Sequence, residues 1–139
     1  MLFGRKRDID RLIFEVAEHK REEDYQALFL AIKGKTFHCP VDPASAAAIP
    51  RGAAYVTQAH DALRIPCLAS INGLKLVPLF TSANDKRLSA GRFAIEGLEA
   101  LVMAFKTAGV DGVLFQNNRD SWVGVDKERI KRVLAQHGR

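Results

Sequence analysis

A chain of 139 residues with 47% hydrophobic and 27% charged side chains carries enough apolar material for one packed domain, which excludes a largely disordered or fibrous polypeptide. No apolar run reaches the roughly 20 residues that cross a bilayer, and the opening MLFGRKRDIDR has basic residues without an apolar stretch behind them, so a cytoplasmic protein with no membrane partner is expected. The formal net charge of +5 favours acidic proteins or nucleic acid as partners, and the two cysteines, Cys39 and Cys67, read as reduced thiols rather than a disulfide framework.

From Asp8 to Lys20 the apolar residues Ile9, Leu12, Ile13, Val16 and Ala17 recur at helical spacing and predict an amphipathic helix. After a polar break over Arg21 to Asp24, Tyr25, Leu28, Phe29 and Ile32 repeat the pattern until Gly34 stops it, which predicts a helical hairpin against one face of a sheet. Thr36 to Val41 reads as a short strand ended by Pro40 and Pro43. Asp42 to Gly52 reads as a loop, Ala54 to Gln58 as a strand candidate, and Ala59 to Arg64 as a connection. The most informative stretch is Ile65 to Ser82. Two alternating apolar runs flank Asn72-Gly73, a pair suited to a type I′ turn because both central residues need positive φ, so a β-hairpin ending in Phe80-Thr81-Ser82 is expected.

Beyond it, SANDKRLSAGR predicts a polar loop with a helical turn around Asn84 to Leu88. Leu98, Leu101, Val102 and Phe105 define a third helix closed by Ala108-Gly109, and Val110 to Gln116 reads as a strand buried on both faces. A turn over Asn117 to Asp120 leads to a strand over Ser121 to Val125, after which Asp126 caps a last helix carrying Ile130, Val133 and Leu134. With no repeat or linker, residues 1–139 read as a single α+β domain: a mixed or antiparallel sheet with a central hairpin, packed against the N-terminal helical hairpin and further helices. The long hairpin offers an edge strand through which copies of the chain could pair.

Catalytic chemistry finds little support in the residue spacing. Gly34-Lys35-Thr36 resembles the end of a phosphate-binding loop, but Phe29 stands where an earlier glycine is needed and an amphipathic helix precedes it instead of a strand. His38, Cys39, Asp42, His60, Asp61 and Cys67 are the residue types of a thiol nucleophile or a metal site, yet adjacent His38 and Cys39 point to opposite faces of a strand and no Cys-x-x-Cys anchor exists. No cofactor or metal is expected. The turn Asn117-Asn118-Arg119-Asp120 with Trp122, together with Thr81, Ser82, Asn84, Lys86 and Arg87, forms the candidate partner-binding surface, because both segments leave buried strands and Trp and Arg serve as interface anchors. The plainer alternative is a tight turn with Trp122 plugging the edge of the core.

The elements LVPLFTS, GVDGVLFQNN and SWVGVDKERIKRVL resemble the SseB N-terminal domain family. Phe80, Thr81 and Ser82 match its strand end, Gly109, Asp111, Gly112 and Val113 match its Gly-Val-Asp-Gly strand, and Asn117 stands at the family's Asn. Asn118 replaces the usual Pro, and the basic Lys86-Arg87 replaces an acidic or tryptophan-bearing turn. The resemblance implies an α+β domain found mostly in bacteria, without an established catalytic site, acting as a regulator, secretion accessory or immunity-type inhibitor of a protein partner. The first expectation is therefore a non-enzymatic protein-binding module that meets an acidic partner. The alternatives are nucleic-acid binding through Lys127, Arg129, Lys131 and Arg132, and an enzyme dependent on Cys39 or Cys67.

Overall fold

A computed structural model describes residues 8–40, 68–88 and 92–139. Helix α1 (Ile9–His19) begins where the Asp8 carboxylate accepts a hydrogen bond from the Arg11 N–H at 2.9 Å and buries Ile9, Leu12, Ile13 and Val16 on one stripe. Helix α2 (Glu22–Ala31) starts earlier than the apolar pattern predicts. Glu22, Glu23 and Asp24 form its first turn instead of a break, since carboxylates complement the positive end of the helix dipole. Asp24 is buried and held by Arg21 Nε at 2.7 Å. Gly34, with φ of +78°, then reverses the chain as expected.

Among the described residues six strands follow: β1 (Thr36–Pro40), β2 (Ala69–Ile71), β3 (Leu74–Phe80), β4 (Arg92–Glu96), β5 (Gly112–Gln116) and β6 (Trp122–Asp126). They are joined by a 3₁₀ turn at Lys86–Leu88, helix α3 (Gly97–Lys106) and, after β6, helix α4 (Lys127–Gln136). The sheet order is β4-β1-β3-β5-β6, with β2 also paired to β3. β3 and β5 run parallel and every other pair is antiparallel, so the sheet is mixed and the domain is α+β. The β2–β3 hairpin turns at Asn72 (φ +52°) and Gly73 (φ +83°), the two positive values a type I′ turn requires. Ala54 to Gln58, Ile65 and Cys67, on which further expectations rested, lie outside the described residues.

One strand departs from the expectation. Strand β4 was not anticipated, although Phe93 and Ile95 alternate inward with exposed Arg92 and Ala94. Strand β3 of the long hairpin is interior to the sheet, flanked by β1 and β2 on one side and β5 on the other, whereas its hairpin partner β2 pairs only with β3 among the described residues; the ends of the described strand path are β4 and β6. Among the described residues β2, β4 and β6 therefore each have one unpaired side.

One face of the sheet presents Phe37, Cys39, Val77, Leu79, Phe93, Ile95, Val113, Phe115, Val123 and Val125 to a single core shared with all four described helices. The Phe37 and Phe115 rings meet at 5.2 Å between centroids. Leu76, Pro78, Phe80 and Leu114 on the opposite face are buried as well, so β5 is covered on both sides as its continuous apolar run implies. Gly112 is required by close approach: a Cβ there would sit 2.0 Å from the Val125 carbonyl oxygen. On α3 the inward residues are Leu98, Ala100, Leu101 and Ala104, whereas Phe105 is exposed.

Helix caps tie distant segments together. Glu96 accepts from the Glu99 N–H at 3.0 Å to begin α3 and from the Gly34 N–H at 2.7 Å to hold the end of α2. Burial raises the pKa of its carboxyl, but these backbone donors and Arg139 outweigh that and leave it below the ordinary carboxylate range. Asp126 caps α4 as predicted, accepting from the Arg129 N–H at 2.9 Å. No helix among the described residues is long and apolar enough to cross a membrane.

Candidate binding surface

Because β3 and β5 are parallel neighbours with Phe80 opposite Gln116, the segments that leave them emerge side by side. The Thr81 N–H continues the ladder to the Gln116 carbonyl at 3.3 Å. The first turn of α1 lies over this junction and supplies Asp10. Its carboxylate accepts from the Thr81 hydroxyl at 2.5 Å and from the Asn118 N–H at 3.1 Å, and its backbone carbonyl accepts from Asn117 Nδ2 at 2.9 Å. Asn117 Oδ1 in turn accepts from the N–H groups of Arg119 and Ser121, both at 2.9 Å, closing the β5–β6 turn on itself. Asp120 completes the reversal with φ of +67°, a conformation Asp tolerates.

The two segments singled out in the sequence are thus one surface, but their residues divide into two kinds. Asn117 is 1% exposed and Thr81 is tied to Asp10, so both act inwardly, holding the loops. Asn84, Lys86, Asn118, Arg119 and Asp120 are exposed. Ser82 shapes its own loop by accepting from the Asn84 N–H at 3.2 Å. A groove of ≈ 450 Å³ runs between the two loops, lined by Ser82, Asn84, Asp85, Lys86, Asn118 and Asp120. The backbone of Arg87 lies in the 3₁₀ turn beside it.

Trp122 does not plug the core: its side chain is 48% exposed. A second groove of ≈ 600 Å³ begins at Asp120 and passes Trp122 and Gly124 to Leu74 and Leu76. Asp120 therefore joins the loop groove to the Trp122 groove. Asp10 was missed by sequence reasoning. Its acidic character at a helix start signals only favourable interaction with the helix dipole, and nothing local announces partners more than seventy positions away.

The basic C-terminal helix is partly engaged within the fold. Lys127 Nζ donates to the Thr107 carbonyl at 2.9 Å, and Arg129 lies 4.2 Å over the Tyr25 ring and 3.3 Å from both oxygens of Glu22. A hydrogen bond from Gln26, reinforced by Arg129, keeps the Glu22 carboxyl below its ordinary pKa. Lys131 and Arg132 remain exposed.

Of the thiol and imidazole candidates, Cys39 is fully buried in the core and His38 points to the opposite face, half-buried, with Nδ1 lacking a hydrogen-bond partner among the described residues. Burial, then the neighbouring Arg92, lowers the His38 pKa. Asp42, His60, Asp61 and Cys67 lie outside the described residues. Among those described, no group of three or more His, Cys, Asp or Glu side chains is arranged to hold a metal ion. No protein-family model, curated protein or solved structure matches the chain.

Proposed function

We propose that this chain is a non-catalytic, cytoplasmic protein-binding module of the SseB N-terminal kind, serving as a regulator, secretion accessory or immunity-type inhibitor. The observation that carries this reading is the fastening of the β3 and β5 loops to one helix turn through Asp10. Fixed loops lose little conformational entropy when a partner docks, and a rigid scaffold is where binding loops are found. Asn84, Lys86, Asn118 and Arg119 then supply directional polar contacts, and Trp122 supplies apolar contact area. The chain's net charge of +5 favours an acidic partner, which Lys86 and Arg119 are placed to meet beside Asp85 and Asp120.

The test is affinity capture at low salt on the immobilised full chain, with Lys86→Glu/Arg119→Glu as control. Specific proteins retained by the wild type and lost by the variant are expected. Capture of no protein would overturn the reading. So would retention only of nucleic acid that elutes steeply with salt and is lost in Lys131→Glu/Arg132→Glu, which would transfer function to α4.

A further inference from the structure

We infer that the outer edge of β6 receives an extended segment of a protein partner as an additional strand, a segment with apolar side chains at alternate positions and basic residues at its ends. The inference rests on the protein-binding reading above and names the chemistry of one part of that partner.

Two hydrogen bonds settle which backbone groups are free. The Asn117 N–H reaches the Ser121 carbonyl at 3.1 Å and the Lys127 N–H reaches the Asp111 carbonyl at 3.0 Å, so these pairs are the hydrogen-bonded rungs of the β5–β6 ladder. Rungs alternate, which turns Val123 and Val125 toward β5 and turns the N–H and C=O of Trp122 and Gly124 outward. The Asp126 N–H also points outward, while its carbonyl is committed to the first turn of α4. Among the described residues no strand pairs with this edge. Natural edges are usually blunted by lysine, proline or a bulge, and the sequence Trp122-Val123-Gly124-Val125-Asp126 carries neither lysine nor proline.

The side chains beside the edge suit an incoming strand. An ideal Cβ at Gly124 would meet only the Leu76 Cδ1, at 3.4 Å, so the sheet face between Trp122 and Asp126 has room for a side chain from the added strand. Leu74, 42% exposed, and Trp122 border that space with apolar surface. Charge then selects the occupant. Among the described residues Glu18, Asp120 and Asp126 line the groove against a single cation, Lys20, so the sign of this lining is opposite to that of the whole chain. A second copy pairing here would bring the same carboxylates together, whereas basic residues at the ends of a partner segment would neutralise them.

The experiment uses the isotope-labelled full chain and three blocked hexapeptides: Lys-Val-Thr-Val-Thr-Lys, its counterpart with Glu at both ends, and a Lys-ended version with Pro at both Thr positions. The Lys-ended Val/Thr peptide is expected to shift the amide resonances of Trp122, Gly124 and Asp126 saturably and to slow their hydrogen exchange, with the Pro version inactive. Gly124→Pro removes an outward N–H that has no partner among the described residues, and should abolish binding. Should that variant fold poorly, Glu18→Gln/Asp120→Asn serves instead, and should weaken the Lys-ended peptide roughly three- to tenfold.

Absence of these shifts at millimolar peptide, or preference for the Glu-ended peptide, overturns the inference. A concentration-dependent dimer abolished by Gly124→Pro also overturns it, assigning the edge to a second copy. The two readings fail separately. Captured proteins that are lost in Lys86→Glu/Arg119→Glu but kept by Gly124→Pro would leave the loop surface standing and remove only the strand addition.

Discussion

At the ends of β3 and β5 the polar groups are used by the chain itself, whereas along β6, a few residues further on, outward backbone donors and acceptors have no strand partner among the described residues and the indole of Trp122 is half exposed. Thr81, Asn117 and Asp10 form a closed hydrogen-bond set, with Asn117 almost fully buried. Trp122 and Gly124 have their polar backbone groups directed away from β5 and are exposed. The difference teaches that a polar loop residue advertises hydrogen-bonding capacity but not its direction. A buried group that loses its partner is costly, so evolution of the fold turns such residues inward wherever loops must be fixed, and recognition is left to the groups that remain unsatisfied.

The largest effect should come from breaking the closed set. Asn117→Ala leaves the N–H groups of Arg119 and Ser121 and the carbonyl of Asp10 without their partner, and should destabilise the fold by about 2–4 kcal/mol. Urea titration measures this directly. A loss below about 1 kcal/mol would mean that the loops are held by something else. The next effect separates two glycines on neighbouring strands. Gly112→Ala drives a Cβ into a backbone carbonyl and should cost roughly 1–3 kcal/mol, whereas Gly124→Ala, whose Cβ would meet only the end of the Leu76 side chain at 3.4 Å, should change stability by less than about 0.5 kcal/mol. Equal costs would erase the distinction between a closed β5–β6 interior and an open outer edge.

A smaller effect extends the contrast to His38, which shares the outer sheet face at the far side from Trp122. Burial and Arg92 disfavour its charged form, so its folded pKa lies below the ordinary value of 6.5. The unfolded chain therefore takes up the proton first as pH falls. The stability associated with His38 is fully present above pH 6.5, declines below it, and stops declining once the pH is under the folded-state value. Urea midpoints measured between about pH 7 and 5 should fall less in His38→Gln than in the wild type. Parallel curves would show that the imidazole is solvated.

How much of this was legible in the sequence depended on the range of the interactions. The Asn72-Gly73 turn, the Gly34 stop and the Asp126 cap are set by a few neighbouring residues, and each stands where the pattern placed it. Strand β4 went unseen because Arg92 to Glu96 offers only two inward residues, Phe93 and Ile95, too few to separate alternation from chance beside the stronger helical signal that follows. The acidic start of α2 was misread as a break because propensity alone does not show that Arg21 will neutralise buried Asp24. The candidate surface was legible as two polar segments leaving strands. Their adjacency was not, because it follows from the parallel pairing of β3 with β5 and from Asp10, both fixed only in three dimensions.

Neighbouring side chains on β6 give the most direct probe of the open edge. Trp122 and Val123 are consecutive, yet the strand pleat sends one into water and the other into the core, where Val123 is 4% exposed. Val123→Ala should cost roughly 1–3 kcal/mol through lost burial and the cavity left behind. Trp122→Ala removes a much larger side chain but should cost less than Val123→Ala, about 1 kcal/mol, because half of the residue already faces solvent. As the chain's sole tryptophan, it should emit near the wavelength of a water-exposed indole and be readily quenched by acrylamide. A blue-shifted, protected emission with a costly Trp122→Ala would mean that the ring is covered and the β6 edge closed, and the contrast between the pinned loops and the free strand would collapse.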